Sequence, residues 1–157
     1  MAFSKAEREF HRKTAAMAFN RTWSYLDKKN RSPADDAQML HLAHTSRYHW
    51  GLVGTPRNRA VGDWQISRVY ASLGQPELAL RYARLSLSTC KKNGLAESVP
   101  AAYEAIARAY ATAKNPGRAE DYLAKARQLL DKLPLEKEDR RIFLGQINDT
   151  RRLIREL

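Results

Sequence analysis

Two arginines, Arg68 and Arg108, stand forty residues apart in matching surroundings. Their planar guanidinium forks are the side chains best shaped to grip a carboxylate or another anion. Placed side by side on neighbouring helices, they would aim two forks at one anionic group. Trp64 beside them would add an apolar or cation-binding face. The plainer alternative is that each arginine pairs with a nearby carboxylate such as Asp63 or Glu104. A second cluster falls within residues 36–50. There His41, His44 and Tyr48 follow i, i+3 and i+7 spacing, beside a stripe of Met39, Leu42, Ala43, Ser46 and Trp50 expected to be buried. With Arg47, Arg57 or Arg59 close by, these side chains could wall a small-ligand pocket or exchange protons with a substrate. Zinc is disfavoured: His41 and His49 lie about two turns apart, and no neighbouring cysteine or carboxylate completes a tetrahedron. No Gly-rich phosphate loop, nucleophile elbow or His-Glu-x-x-His helix is present. Cys90, the single cysteine, occupies an apolar helical position and reads as an inert core thiol. The residues point to binding rather than catalysis, with no metal or cofactor expected.

The elements that must position these groups are marked by prolines. Ser32-Pro33, Thr55-Pro56, Gln75-Pro76, Asn115-Pro116 and Leu133-Pro134 each precede a stretch with helical periodicity, and Ser98 precedes Pro100. Proline in a first turn forfeits no hydrogen bond, and Ser32, Thr55 and Asn115 are good N-caps. Ser32 with Asp35 forms a weak variant of the capping box. The pattern predicts seven helices, near 3–29, 33–51, 56–73, 76–92, 98–113, 116–132 and 135–155, and no sheet. Short links between them imply antiparallel neighbours. In the first helix Phe3, Phe10, Met17 and Ser24 recur every seven residues, with Ala6, Phe19, Trp23 and Leu26 widening an apolar face. That face is expected to pack into the core. In the last helix Ile142, Phe143, Ile147 and Ile154 form the expected packing side, and Arg140, Arg141, Arg151, Arg152 and Arg155 a wet side.

Shifting the chain by forty residues superposes Ile66, Arg68, Tyr70, Ala71, Pro76, Ala79 and Tyr82 on Ile106, Arg108, Tyr110, Ala111, Pro116, Ala119 and Tyr122. A period of this length is one pair of helices, and stacked pairs share a continuous core. With Ser67, Gly74 and Ser86, and with Tyr103, Ala107, Leu123 and Ala126, the pattern resembles tetratricopeptide repeats. It departs in carrying Lys114 at the turn glycine and in a period of forty rather than the family's thirty-four. The resemblance implies an all-α, right-handed superhelical array of αα-hairpins, with about three pairs and a C-terminal capping helix. Residues 1–157 then form one domain: a divergent hairpin over 1–55, two repeats over 56–132 and a cap over 133–157. It further implies a concave groove receiving Val61, Trp64, Arg68, Ala71 and Ser72, then Ala101, Glu104, Arg108, Ala111 and Thr112. The lysine and asparagine set of the family's carboxylate clamp is missing, so that specificity is not carried over.

Charge completes the expectation. The chain has 28 basic and 17 acidic side chains, a net +11. An adaptor for an acidic protein or peptide segment is the favoured function. A nucleic-acid partner is open but less favoured, because no stacking platform accompanies the charge. No membrane partner is expected, since no stretch approaches the roughly 20 apolar residues of a span. The opening residues lack the apolar run of a secretory signal, so a cytoplasmic location is expected. A homodimer through residues 135–157 stays open.

Overall fold

The computed structural model describes residues 2–157, and among these it contains helices and no strand. The helices are α1 (Lys5–Leu26), α2 (Pro33–Val53), α3 (Pro56–Ser72), α4 (Pro76–Lys92), α5 (Val99–Thr112), α6 (Pro116–Lys132) and α7 (Lys137–Arg155), with a 3-10 turn (Ala96–Ser98) leading into α5. Sequence neighbours pack as hairpins, α1 on α2, α3 on α4 and α5 on α6. The odd helices also touch one another, α3 against both α1 and α5, and α5 against α7. The molecule is thus two layers, with α1, α3, α5 and α7 side by side in one and α2, α4 and α6 in the other.

The local causes follow the sequence closely. Ser4 with Glu7, Ser32 with Asp35 and Thr55 with Asn58 each close a reciprocal box between the cap and the third helical residue. Asn115 accepts from the Arg118 amide at 3.2 Å. Pro33, Pro56, Pro76, Pro100 and Pro116 lie in first turns. Pro134 does not: α7 starts at Lys137, and Pro134 sits in the connection. The two repeat turns have the same geometry. The Gly74 amide donates to Ala71 and the Gln75 amide to Tyr70, and the Lys114 and Asn115 amides repeat this to Ala111 and Tyr110. Both turns need a left-handed residue. Gly74 supplies it at φ 70°, whereas Lys114 is held at φ 58°.

Burial extends the forty-residue period into the first hairpin. Met39, Ala79 and Ala119 are all buried, as are Ala43, Ala83 and Leu123, and likewise Ser46, Ser86 and Ala126. The even helices therefore share one register through the whole chain. Two buried serines tie the layers: Ser46 Oγ donates to the Ala15 carbonyl and Ser86 Oγ to that of Ala60, both at 2.8 Å. Ser67 Oγ does the same to Ala79 at 2.7 Å. Such bonds need helices close enough that only small residues fit between them. Cys90 is buried in this core as expected.

The apolar stripe expected for α1 is corrected. Phe10 and Met17 are 61% and 44% exposed, and the helix instead buries Ala15, Ala18 and Thr22. The close α1–α2 approach admits small side chains and turns Phe10 and Met17 outward, while Trp23 and Leu26 of the expected face pack against the core. In α7, Ile147 and Ile154 are buried as expected, while Ile142 is exposed. Arg140 leaves the wet side and folds back to donate to the Leu130 and Leu133 carbonyls.

Candidate functional site: a concave groove floored by arginines

The layer of odd helices is hollowed along its free face. At the end where α1, α3, α5 and α7 terminate lies a cavity of about 530 Å³ lined by Trp23, Leu26, Arg68, Ala71, Arg108 and Leu153, with Asp27 and Glu156 on its wall. One helical turn away, a smaller apolar notch of about 210 Å³ is lined by Val61, Trp64, Ala101, Ile142, Phe143 and Gln146. Every residue that the repeat pattern assigned to a groove, except Glu104, lines one of these two hollows. Glu104 lies beneath them, 2% exposed.

Two guanidinium groups form the floor. Arg68 lies over the Trp23 ring, 5.3 Å from its centroid, and 6.0 Å from that of Trp64. The aromatic faces attract the cation and shield it from water. Its nearest carboxylate is Asp149 of α7, at 3.9 Å and half-exposed. Arg108 is held more tightly, with Nε donating to Glu104 Oε1 at 3.1 Å. The same carboxylate oxygen accepts from Thr150 Oγ1 at 2.5 Å, which ties α5 to α7. Burial, and next the neighbouring Arg108 charge, push the Arg68 pKa down. The negative ends of four helices meeting here offset part of that like-charge repulsion.

Hydrogen bonding on this floor is incomplete. Arg68 Nη1 and Arg108 Nη2, with Glu104 Oε2 beneath them, are all buried without a partner. Buried polar atoms are nearly always paired, so a cluster of orphans on one surface marks a place where an acceptor or donor is to be supplied. The two arginine atoms are donors that an oxygen-bearing ligand could meet, and Glu104 Oε2 is an acceptor beneath them.

The histidine cluster is placed elsewhere. His44 Nε2 meets the Tyr70 hydroxyl at 3.0 Å, and its ring packs edge-on to Tyr70 and Tyr82 between α2, α3 and α4. Burial, and secondarily His41, lower its pKa. His41 is exposed, and Tyr48 is 64% exposed. None of the three lines the hollows that hold Trp64, Arg68 and Arg108. His49 turns to α1, where its Nδ1 lies 2.8 Å from His11 Nδ1. Among the described residues no three histidine, cysteine, aspartate or glutamate side chains are grouped to hold a metal ion. Asp63, offered above as a partner for Arg68, instead accepts from Arg47 Nε at 2.9 Å. Gly62 permits this, because a Cβ there would meet Arg47 Cδ at 2.8 Å.

Trp23, Asp149 and Thr150 are among the groove residues that escaped the sequence reading. Trp23 stands in α1 as Arg68 stands in α3, one helix further along the layer. Asp149 and Thr150 reach the floor from α7. A shift of 45 rather than 40 residues would have exposed the first, since it superposes Ala15, Phe19 and Trp23 on Ala60, Trp64 and Arg68. The longer α1–α2 connection, 27–32 against 73–75, and an added turn at the start of α2 together account for the extra residues. Comparisons of the chain with protein-family models, with curated proteins and with solved structures found no match. No helix among the described residues is long and apolar enough to cross a membrane.

Proposed function

We propose that this chain is a protein-interaction module of the tetratricopeptide type, an adaptor that takes an acidic peptide segment or a peptide carboxylate into the groove between α1, α3, α5 and α7. The observation that carries this reading is the pair of orphaned guanidinium nitrogens, Arg68 Nη1 and Arg108 Nη2, on adjacent helices in one cavity. A carboxylate oxygen is an acceptor that the two guanidinium forks can share. Asp149 lies loosely against the other terminal nitrogen, Arg68 Nη2, at 3.9 Å, and leaves Nη1 without a partner. Glu104 holds Arg108 from below, and Arg68 lies against the packed ring pair of Trp23 and Trp64, whose centroids are 5.7 Å apart. The forks are thereby fixed before a ligand arrives, which lowers the ordering cost of binding.

Affinity capture from nuclease-treated lysate, with wild type and Arg68→Gln compared by mass spectrometry, tests this. A protein retained by the wild type and lost with Arg68→Gln is the expected result. Capture that is equal in both samples, with helicity intact in both, would remove the groove from the function.

A further inference from the structure

The smaller notch carries its own chemistry. Its walls are mostly apolar, Ala60, Val61 and Trp64 of α3, Ala101 of α5, and Ile142 and Phe143 of α7, with Ser86, Ser98 and Gln146 the polar residues of the lining. Only two orphaned polar atoms belong to residues lining it. Trp64 Nε1, on a side chain of a residue only 8% exposed, is a donor without an acceptor. Gln146 Oε1, from the opposite wall, is an acceptor without a donor. One missing acceptor and one missing donor describe a secondary amide, the peptide unit itself. At about 210 Å³ the notch lies below the roughly 300–1,000 Å³ of a site for a drug-sized molecule. It suits a single aliphatic side chain.

We propose that this notch is a residue-binding subsite in which an aliphatic side chain packs against Val61, Ile142 and Phe143 while its main-chain amide bridges Trp64 Nε1 and Gln146 Oε1. The inference deepens the groove reading and rests on it. The bound segment would place an aliphatic residue here and its carboxylate about one helical turn further along α3, at Arg68. A water bridging Trp64 Nε1 and Gln146 Oε1 would bring no apolar surface to Val61, Ile142 and Phe143. An amide that meets both and brings apolar surface with it displaces that water favourably.

The test is a titration of ¹⁵N-labelled full-length protein with N-acetyl-leucine N-methylamide, followed at the tryptophan indole and glutamine side-chain resonances. The probe has no charge, so it reports on the notch and not on the arginines. The Trp64 indole signal, assigned by its loss in Trp64→Phe, is expected to move saturably with the Gln146 amide. Trp64→Phe is expected to weaken the probe about fivefold, the worth of one neutral hydrogen bond. Ala101→Leu, which adds bulk to a lining residue of the notch, is expected to abolish the response. A Trp64 indole that stays fixed up to the solubility limit of the probe, or a response that survives Ala101→Leu, overturns the subsite. A probe that binds while peptide capture is indifferent to Arg68→Gln upholds the notch and sinks the carboxylate reading instead.

Discussion

Helix α3 serves two polar clusters on opposite sides, and they are built to opposite rules. Toward α2 and α4 it offers Tyr70, whose hydroxyl meets His44 and whose ring stacks on Tyr82 at 5.7 Å. Toward the groove it offers Trp64 and Arg68, both with buried donors that nothing meets. Residues 68 and 70 are about 200° apart around a helix, so one short stretch supplies both sides. The lesson is that chemically suggestive residue types do not distinguish a site from a core. Hydrogen-bond completion does. The histidine side is paired as it stands, and the arginine side has bonds left to make.

The sharpest break of this contrast is Arg108→Met. It strips Glu104, nearly fully buried, of its counter-charge, and a broken buried pair costs about 3 kcal/mol. A urea midpoint shows the loss, and adding Glu104→Gln should return most of it. Arg68→Gln should behave differently, because Asp149 is half-exposed and is not stranded. Partner affinity is expected to fall about tenfold or more, as loss of one charge-assisted bond implies, with little change in the urea midpoint.

On the other side, His44→Ala should lower stability by about 1 kcal/mol through the lost bond to Tyr70 and leave partner binding unchanged. The pH dependence follows from the same residue. Burial depresses the pKa of His44 from its ordinary 6.5, and burial followed by the nearby His11 does the same to His49. A depressed folded pKa gives stability that is present above pH 6.5 and is lost as pH falls through the folded value. Melting temperature should therefore drop on acidification from pH 7.5 to 5.5, and by less in His44→Ala. The smallest effect concerns the turns that follow the two arginine-bearing helices. Lys114→Gly should stabilise by about 0.5–1 kcal/mol by relieving a left-handed lysine, and Gly74→Ala should cost a similar amount. Equal melting temperatures for both variants would mean that the two repeats do not share this strain.

Much of the frame was legible because it is written locally. Proline at first turns, Ser and Thr caps and a forty-residue repeat locate the helices, and the repeat alone brings Arg68 and Arg108 together. What escaped depends on partners distant in sequence. The face of α1 was misread because periodicity of large residues was the signal, whereas Ala15 and Ala18 are buried by their smallness. The pairing of His49 with His11 spans 38 residues and leaves no trace in spacing. Asp149 and Thr150 join the groove only through the angle at which α7 lies on α5. Gln146 looks like one polar residue among many on an amphipathic helix. Its missing partner exists only in three dimensions.

The serine ties are unevenly distributed. The α1–α2 hairpin has Ser46 on Ala15, and the α3–α4 hairpin has Ser67 on Ala79 and Ser86 on Ala60. At the equivalent places in α5 and α6 stand Ala107 and Ala126, which can tie nothing. In a stack whose units lean only on their neighbours, local opening begins where the seams are weakest. Amide deuterium uptake should therefore run as a gradient, fastest in α6 and α7 and slowest around α3. The molecule would unzip from its C-terminal end, and the first wall to leave would be the one that carries Asp149.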